Sequence, residues 1–230
     1  MTEVGKIAIP VLAKDTPGVR RKMERAAPLA RVLEIRLDLM EEFDLKKLLR
    51  DAPGPLLVTY RSRKEGGNGR AHYSTRVRLL EEAIQRGADF VDVEFSIPLG
   101  YREPLLRKRG GSKVILSRHI LNGTPSREAL ATLLEKMTAS GADIVKIVTR
   151  ARVFEDNRRV LDLIPLAGRL GIPLITFCMG PLGRVSRILS PLLGGFLTFA
   201  SLDKGEESAE GQITAGEMKE IFDRITGHEN

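Results

Sequence analysis

One lysine interrupts a run of apolar, mostly β-branched residues in the middle of the chain. Lys146 follows Ile144 and Val145 and precedes Ile147 and Val148. A lysine buried in such a strand loses its charge when no carboxylate pairs with it, because desolvation lowers the pKa of the ammonium group. A neutral amine is the nucleophile that Schiff-base formation with a ketone requires. We therefore predict that Lys146 is a reactive amine.

A histidine is expected close to this amine. His119 ends the candidate strand that precedes the strand of Lys146, so the two side chains should share one edge of a parallel sheet. An imidazole titrates near neutral pH and suits general acid–base catalysis. Glu65, in a loop after an earlier strand, is a candidate to orient His119, and an exposed loop carboxylate is the alternative. The two glycines that follow Glu65 predict a mobile loop that closes over a ligand.

Charged side chains occupy alternate positions in two candidate strands. They are Glu34, Arg36 and Asp38 in one strand and Asp92 and Glu94 in the other. Ionised groups on one face of a strand cannot face a layer of helices without a large desolvation cost, so these groups should point into the sheet interior. One interpretation is a set of internal salt bridges, including a purely structural pairing of Lys146 with Asp92 or Glu94. Taken together, so many inward charges favour a site for a polar ligand.

Two loops near the end of the sequence carry groups that bind anions. Arg187 follows the seventh candidate strand, and Ser208 and Gln212 follow the eighth. A guanidinium holds a carboxylate through its planar fork of donors, and the hydroxyl and amide can add hydrogen bonds. Loops after strands seven and eight of parallel barrels commonly bind anions. Arg187 is therefore predicted to hold a carboxylate, with a merely solvated arginine as the alternative.

The elements that position these residues alternate between strand and helix. The eight candidate strands are 6–12, 32–39, 56–61, 90–96, 113–119, 143–149, 173–179 and 196–202. Glycines that suit helix C-termini precede three of these strands, and Ser126 and Thr214 are candidate helix N-caps. This order, without a linker, predicts an α/β fold with a single (β/α)8 TIM-barrel domain over residues 1–230. A doubly wound open sheet is the alternative, although no glycine-rich phosphate-binding pattern follows the first strand.

Composition excludes several functional classes. The 230 residues contain one cysteine, Cys178, which excludes a disulfide framework and a metal site built from several cysteines, and which favours a cytoplasmic location. No apolar run reaches about 18 residues, so no membrane span is predicted, and the N-terminus has no pattern of a secretory signal. The net charge of +7 comes from scattered basic residues, and aromatic residues are only 5%. A basic surface or an anionic small-molecule substrate is therefore favoured over nucleic acid.

Six motifs in order resemble the type I 3-dehydroquinate dehydratases, the Schiff-base dehydratases of the shikimate pathway. They are EIRLDL with Glu34 and Arg36, YRSRKEGG with Arg61 and Glu65, VILSRH ending at His119, GADIVKI with Lys146, MGPLGRVSR ending at Arg187, and SAEGQ from Ser208 to Gln212. Each motif alone is modest, but six in family order on eight strands are highly specific, and the resemblance covers nearly the whole chain.

The resemblance implies a (β/α)8 barrel, a homodimer and no metal or organic cofactor. It implies that Lys146 forms an imine with the ketone of 3-dehydroquinate, that His119 moves protons and that Glu65 assists His119. It further implies that Arg187 holds the substrate carboxylate. The remaining substrate-binding residues that it implies are Glu34, Arg36, Arg61, Ser208 and Gln212, with Met179 and Phe199 as apolar walls of the site.

The sequence departs from the family pattern at two places. Pro10 stands where the family often has a serine near the end of the first strand, so one polar contact is expected to be missing. The final loop reads SAEGQ instead of the usual SAPGQ, and it is slightly longer and acidic, which leaves the role of Ser208 open. Two other functions remain open on the residues alone: a class I aldolase that uses the same lysine, and a basic barrel scaffold that binds anions or nucleic acid.

Overall fold

Eight parallel strands form the centre of the protein. The computed structural model describes residues 6–50 and 52–227. The strands are β1 (Ile7–Val11), β2 (Val32–Arg36), β3 (Leu56–Thr59), β4 (Phe90–Glu94), β5 (Lys113–His119), β6 (Ile144–Arg150), β7 (Leu174–Met179) and β8 (Thr198–Phe199). Every neighbouring pair is parallel, so the carboxyl ends of all eight strands meet at one mouth.

The strands follow one another around a nearly closed ring. Their order is β7-β6-β5-β4-β3-β2-β1-β8, so each strand lies beside its sequence neighbour, with β8 returning to β1. Between β7 and β8, the backbone N–H of Phe196 donates to the carbonyl of Leu174 at 2.8 Å. This arrangement confirms the predicted (β/α)8 barrel and excludes the open, doubly wound sheet. The single domain over 1–230 stays a prediction for the chain ends outside the described residues.

Helices surround the ring. They are α1 (Thr16–Ala26), α2 (Leu45–Leu49), α3 (Tyr73–Gln85), α4 (Leu99–Arg107), α5 (Arg127–Thr138), α6 (Glu155–Leu161), α7 (Leu163–Arg169), α8 (Arg184–Leu192) and α9 (Ala215–Thr226). The predicted caps are present: Ser126 accepts from the N–H of Ala129, and Thr214 forms a capping box with Glu217. No helix in residues 6–50 and 52–227 is long and apolar enough to cross a membrane.

Several strands are shorter than the sequence predicts at their carboxyl ends. The second candidate strand, 32–39, ends at Arg36 and continues as a 3-10 turn over Leu37–Leu39. The eighth, 196–202, is a regular strand only over Thr198–Phe199, with an isolated bridge from Ser201 to Thr214. In the 3-10 turn, Asp38 turns back to form an ion pair with Arg36 at 2.8 Å. In β2, the regular ladder thus ends early because the charged groups form hydrogen bonds locally instead of continuing the alternation.

The apolar core has two parts, which decide where a polar site can form. The larger part fills the space between strands and helices. The smaller part lies inside the ring and, towards the amino ends of the strands, includes Leu57, Ile115, Ile144 and Ile175, all buried. Inward side chains are therefore apolar at the amino ends of the strands, whereas polar groups join apolar ones such as Phe177 and Met179 at the carboxyl ends, so a ligand site lies at the mouth.

Candidate active site

The inward side chains at the mouth surround one cavity. Strand pleating places every second residue on this face. All eleven site residues predicted from the sequence line the cavity: Glu34, Arg36, Arg61, Glu65, His119, Lys146, Met179, Arg187, Phe199, Ser208 and Gln212. The structure therefore brings together side chains that are up to 178 positions apart in the sequence.

Lys146 projects from β6 into the cavity and is almost completely buried, with 4% of the residue exposed. Its Nζ atom lies 3.4 Å from Oδ2 of Asp92 and 3.9 Å from the ring centre of Phe199. Burial lowers the pKa of the Lys146 ammonium below its ordinary value, and the charge of Asp92 offsets this only in part. The amine is thus neutral more often than a surface lysine would be.

Asp92 is shared between Lys146 and a closer cation. Its Oδ2 atom lies 2.6 Å from Nη2 of Arg61, and its Oδ1 atom accepts from the Ser117 hydroxyl at 2.5 Å. Burial alone would raise the pKa of Asp92, but the charges of Arg61 and Lys146 lower it well below the usual range. The contact between Lys146 and Asp92, considered from the sequence as a purely structural pairing, is therefore present. The shorter contact of the Asp92 carboxylate, however, is with Arg61.

Arg61 has few donors left for a ligand. Its Nη1 atom donates to the Ser117 hydroxyl at 2.8 Å and lies 3.4 Å from Oε1 of Glu94. Burial alone would lower the pKa of Arg61, but the charges of Asp92, Glu94 and Glu65 raise it. The described contacts therefore make Arg61 the centre of a buried ion-pair network at the mouth.

His119 ends β5 and contacts Glu65 through two nitrogens. Oε2 of Glu65 accepts from the backbone N–H of His119 at 2.9 Å and lies 3.3 Å from Nδ1 of the ring. Because an ionised carboxylate only accepts, this contact assigns the ring proton to Nδ1 and leaves the lone pair on Nε2. Burial, followed by the charges of Arg61 and Lys146, lowers the pKa of His119 well below 6.5. The imidazole is therefore neutral and basic at Nε2.

Glu65 is fixed in place from several sides. It ends a 3-10 turn (Arg63–Glu65) and is buried, which excludes the exposed loop carboxylate considered from the sequence. Its Oε1 atom accepts from the Ser96 hydroxyl at 2.8 Å and from Nη1 of Arg118 at 3.1 Å. A Cβ atom at Gly67 would lie 2.3 Å from the carbonyl oxygen of Arg61. This glycine is thus required for close packing, whereas the sequence predicts it as a source of mobility.

Arg187, in the first turn of α8, is a buried cation without a carboxylate partner in the described part of the chain. Its guanidinium lies 4.4 Å from the ring centre of Phe177, and Nη2 donates to the carbonyl of Glu210 at 3.4 Å. Nε and Nη1 are buried without a hydrogen-bond partner within the described residues. Burial lowers the pKa of Arg187 to about 9. Such a group strongly favours an anionic ligand.

The remaining polar residues of the cavity are held by local contacts. Oε1 of Glu34 accepts from the hydroxyl of Thr59 at 2.7 Å. Oε1 of Gln212 accepts from the backbone N–H of Ser208 at 2.7 Å and from its hydroxyl at 3.3 Å, which folds the β8 loop (residues 200–214) over the mouth. Pro10 lies buried in β1 opposite Glu34, and its side chain offers no hydrogen bond.

Some residues of the site were not chosen from the sequence. Ser117 links Arg61 to Asp92, and Phe177 lies under Arg187. Ser117 has the same strand parity as His119 and pairs in register with Lys146, so the alternation of β5 carried a signal for it. Asp92 was recognised as an inward charge but was not assigned to the site.

A buried lysine and an oriented histidine in one cavity at the mouth of a (β/α)8 barrel are an arrangement that suits enzymes acting on small carbonyl compounds. Comparison with known proteins gives the particular family. The profile of the family described as type I 3-dehydroquinase matches residues 7–229. The chain therefore belongs to the type I 3-dehydroquinase family, and it is an enzyme, a carbon–oxygen hydro-lyase of the shikimate pathway.

Relatives and solved structures agree with this family. A 3-dehydroquinate dehydratase of Dehalococcoides mccartyi is 40% identical over 201 residues, which are 86% of each chain. The bifunctional 3-dehydroquinate dehydratase/shikimate dehydrogenase of Arabidopsis thaliana is 36% identical over 94% of this chain, which spans only 36% of that longer relative. The crystal structure of the type I 3-dehydroquinate dehydratase from Clostridium difficile superposes with a TM-score of 0.87 at 26% identity, covering 98% of this chain and 93% of that one.

Proposed function

We propose that this enzyme converts 3-dehydroquinate to 3-dehydroshikimate through an imine between the substrate ketone and Lys146. The observation that carries the proposal is the pairing of a desolvated amine with a neutral, oriented imidazole in one cavity. The aldolase alternative shares the lysine but has no support from the family of the chain. The scaffold alternative gives no reason for burying a reactive amine.

Arg187 is the proposed anchor for the substrate carboxylate. Two of its donors, Nε and Nη1, are buried without a partner among the described residues, so the guanidinium is available to a carboxylate of the ligand. Glu34, Arg36 and the amide of Gln212 lie around the same cavity and suit the hydroxyl groups of a cyclic polyol. Met179 and Phe199 supply apolar walls that keep water from the amine. For Arg61, the contacts described above favour an electrostatic role that keeps Asp92 ionised.

The first half of the reaction forms the imine. The neutral amine of Lys146 adds to the ketone carbon, and the resulting carbinolamine loses its hydroxyl as water to give a protonated imine. The imidazole of His119 supplies and removes the protons of these steps. The protonated imine withdraws electrons from the adjacent carbon, so the C–H bond there becomes far more acidic than in the free ketone.

The second half eliminates water. Nε2 of His119 removes the α-proton, the electrons of that C–H bond form an enamine, and the enamine expels the β-hydroxyl, which leaves as water after protonation by the imidazolium. Hydrolysis of the imine then releases the product and regenerates the Lys146 amine, so that one water is lost overall. Glu65 orients the imidazole and stabilises the imidazolium formed midway. General acid–base catalysis of this kind contributes about 10²–10⁴-fold to the rate.

A homodimer, a cytoplasmic location and independence of cofactors complete the proposal. The resemblance in the sequence supports the first and third, and the single cysteine supports the second. Light scattering of the purified protein measures the oligomeric state, and activity after extensive chelation measures the independence of metal cofactors.

Trapping with borohydride tests the imine directly. Reduction in the presence of 3-dehydroquinate should add a stable mass to the peptide that contains Lys146, and Lys146→Ala should abolish both the label and turnover. Lys136→Ala, on the exposed face of α5, is the matched control and should label as the native chain does. Label on another residue, or no label at all, contradicts the mechanism. His119→Ala should still form the imine and then stall.

A further inference from the structure

One ion pair at the mouth joins β6 to the β8 loop. Nη2 of Arg150, the last residue of β6, lies 2.5 Å from Oε2 of Glu210. Both side chains are half-exposed, and Arg150 follows Lys146 by four positions on the same strand face. Glu210 lies in the β8 loop, between Ser208 and Gln212 of the cavity.

The backbone of Glu210 lies against the proposed carboxylate anchor. Its carbonyl oxygen accepts from Nη2 of Arg187 at 3.4 Å and from the N–H of Gly180 at 3.0 Å. A Cβ atom at Gly211 would lie 2.2 Å from the carbonyl oxygen of Gly180, so the loop backbone packs closely against the end of β7 at this point. The side chain of Glu210 therefore starts within reach of the Arg187 guanidinium, and only its direction decides which arginine it pairs with.

An ion pair between the Glu210 carboxylate and Arg187 would stabilise the folded chain but would hinder substrate binding. Arg187 is 1% exposed and has no carboxylate partner among the described residues, and two of its donors are buried without a partner. A carboxylate supplied by the protein itself would neutralise this buried charge, because buried cations strongly favour a paired anion. It would also occupy the position that the carboxylate of the substrate requires.

We propose that Arg150 is a positioning residue that holds the Glu210 carboxylate away from Arg187 and so keeps the anion site open for the substrate. The inference rests on the proposed role of Arg187. It makes an asymmetric prediction, because the loss of Arg150 frees a competing anion, whereas the loss of the Glu210 charge removes the competitor together with the ion pair.

Steady-state kinetics of three variants test this inference. Arg150→Gln should raise KM at least about threefold with kcat little changed, which is within the range that a half-exposed ion pair controls. Glu210→Gln should keep a KM close to that of the native chain. The double variant should return to the KM of Glu210→Gln. The inhibition constant of cyclohexanecarboxylate, which has a carboxylate and no ketone, should follow KM in all three variants.

A matched control and a separate assay make each outcome decisive. Glu82→Gln breaks a comparable surface pair, Arg86–Glu82 at 2.9 Å on α3, and should leave KM unchanged. If Arg150→Gln keeps the native KM, or if both single variants raise KM equally without rescue in the double variant, the ion pair is at most a loop latch and the inference is wrong. Borohydride trapping of Lys146 in the native chain tests the proposed function independently, so failure of one idea is distinguishable from failure of the other.

Discussion

Replacing Glu65 by glutamine isolates the role of its charge. The backbone N–H of His119 donates to Oε2 of Glu65 at 2.9 Å, so the amide oxygen of a glutamine must take the Oε2 position. The same oxygen then faces Nδ1, and the ring keeps its proton there and its lone pair on Nε2. The amide NH2 takes the Oε1 position, where the Ser96 hydroxyl can accept from it and where the hydrogen bond from Nη1 of the half-exposed Arg118 is lost. Glu65→Gln therefore changes the charge and preserves the tautomer.

The expected magnitude follows from the lost charge-assisted hydrogen bond. Such bonds contribute about 1.5–3 kcal/mol, and each 1.36 kcal/mol changes a rate by about tenfold. The Nδ1···Oε2 distance of 3.3 Å is longer than in the tightest bonds of this type, which places the effect in the lower part of the range. We expect kcat of Glu65→Gln to fall by about 10- to 50-fold, because the imidazolium formed on proton abstraction has lost its anion.

The assay separates this effect from damage to the site. Borohydride trapping of Lys146 should proceed in Glu65→Gln, and KM should stay within a few-fold of the native value, since the carboxylate anchor is untouched. Glu82→Gln on the exposed side of α3 serves as the surface control. A kcat within twofold of the native value refutes the reasoning, and so does an equal loss of imine formation, which would show that Glu65 supports the lysine rather than the histidine.

Two further predictions concern buried charges. Arg187→Met should raise KM by at least about 30-fold, since truncating one partner of a buried charge pair costs about 2–5 kcal/mol. The same change should leave Tm unchanged or higher, because it removes an uncompensated buried cation; a lower Tm with native KM contradicts both expectations. His119 has a pKa well below 6.5 in the folded chain, so only the unfolded chain gains a proton as the pH falls below 6.5. The free energy of unfolding should therefore fall by about 1.4 kcal/mol per pH unit from this group. Denaturant unfolding of His119→Gln from about pH 7 to pH 5 should show a correspondingly smaller slope, and equal slopes exclude this origin.

The barrel was predictable because its strands are periodic and its helix ends are chemically marked. Apolar runs of strand length recur along the sequence, and the glycines before β4, β6 and β7 have positive φ values, as expected at helix C-termini. The inward charges were also visible, since Glu34 and Arg36 alternate with leucine and isoleucine. Local patterns thus specify both the fold and the end of the barrel that carries polar groups.

Partners that are distant in sequence were not predictable. The buried carboxylate of Glu65 accepts hydrogen bonds from Ser96 and Arg118, which lie on other segments of the chain. The local sequence around Glu65 does not predict these partners. The predicted end of β2 was wrong for the same reason: the carboxylate of Asp38 forms an ion pair with Arg36 and accepts from the backbone N–H of Arg61, which replaces the expected continuation of the strand. Contacts formed only in the closed ring decide these details.

Arg187 also connects the two strands between which the ring is least regular. Its guanidinium covers Phe177 of β7, and its backbone carbonyl accepts from the hydroxyl of Thr198 of β8 at 2.8 Å. Any anion that orders this arginine therefore stabilises the ring against local opening, by an amount that grows with the logarithm of ligand concentration. Saturation with substrate or product should slow amide hydrogen exchange most at the β7–β8 junction. Ligand binding at the mouth and the free energy of local opening of the barrel are thus thermodynamically linked.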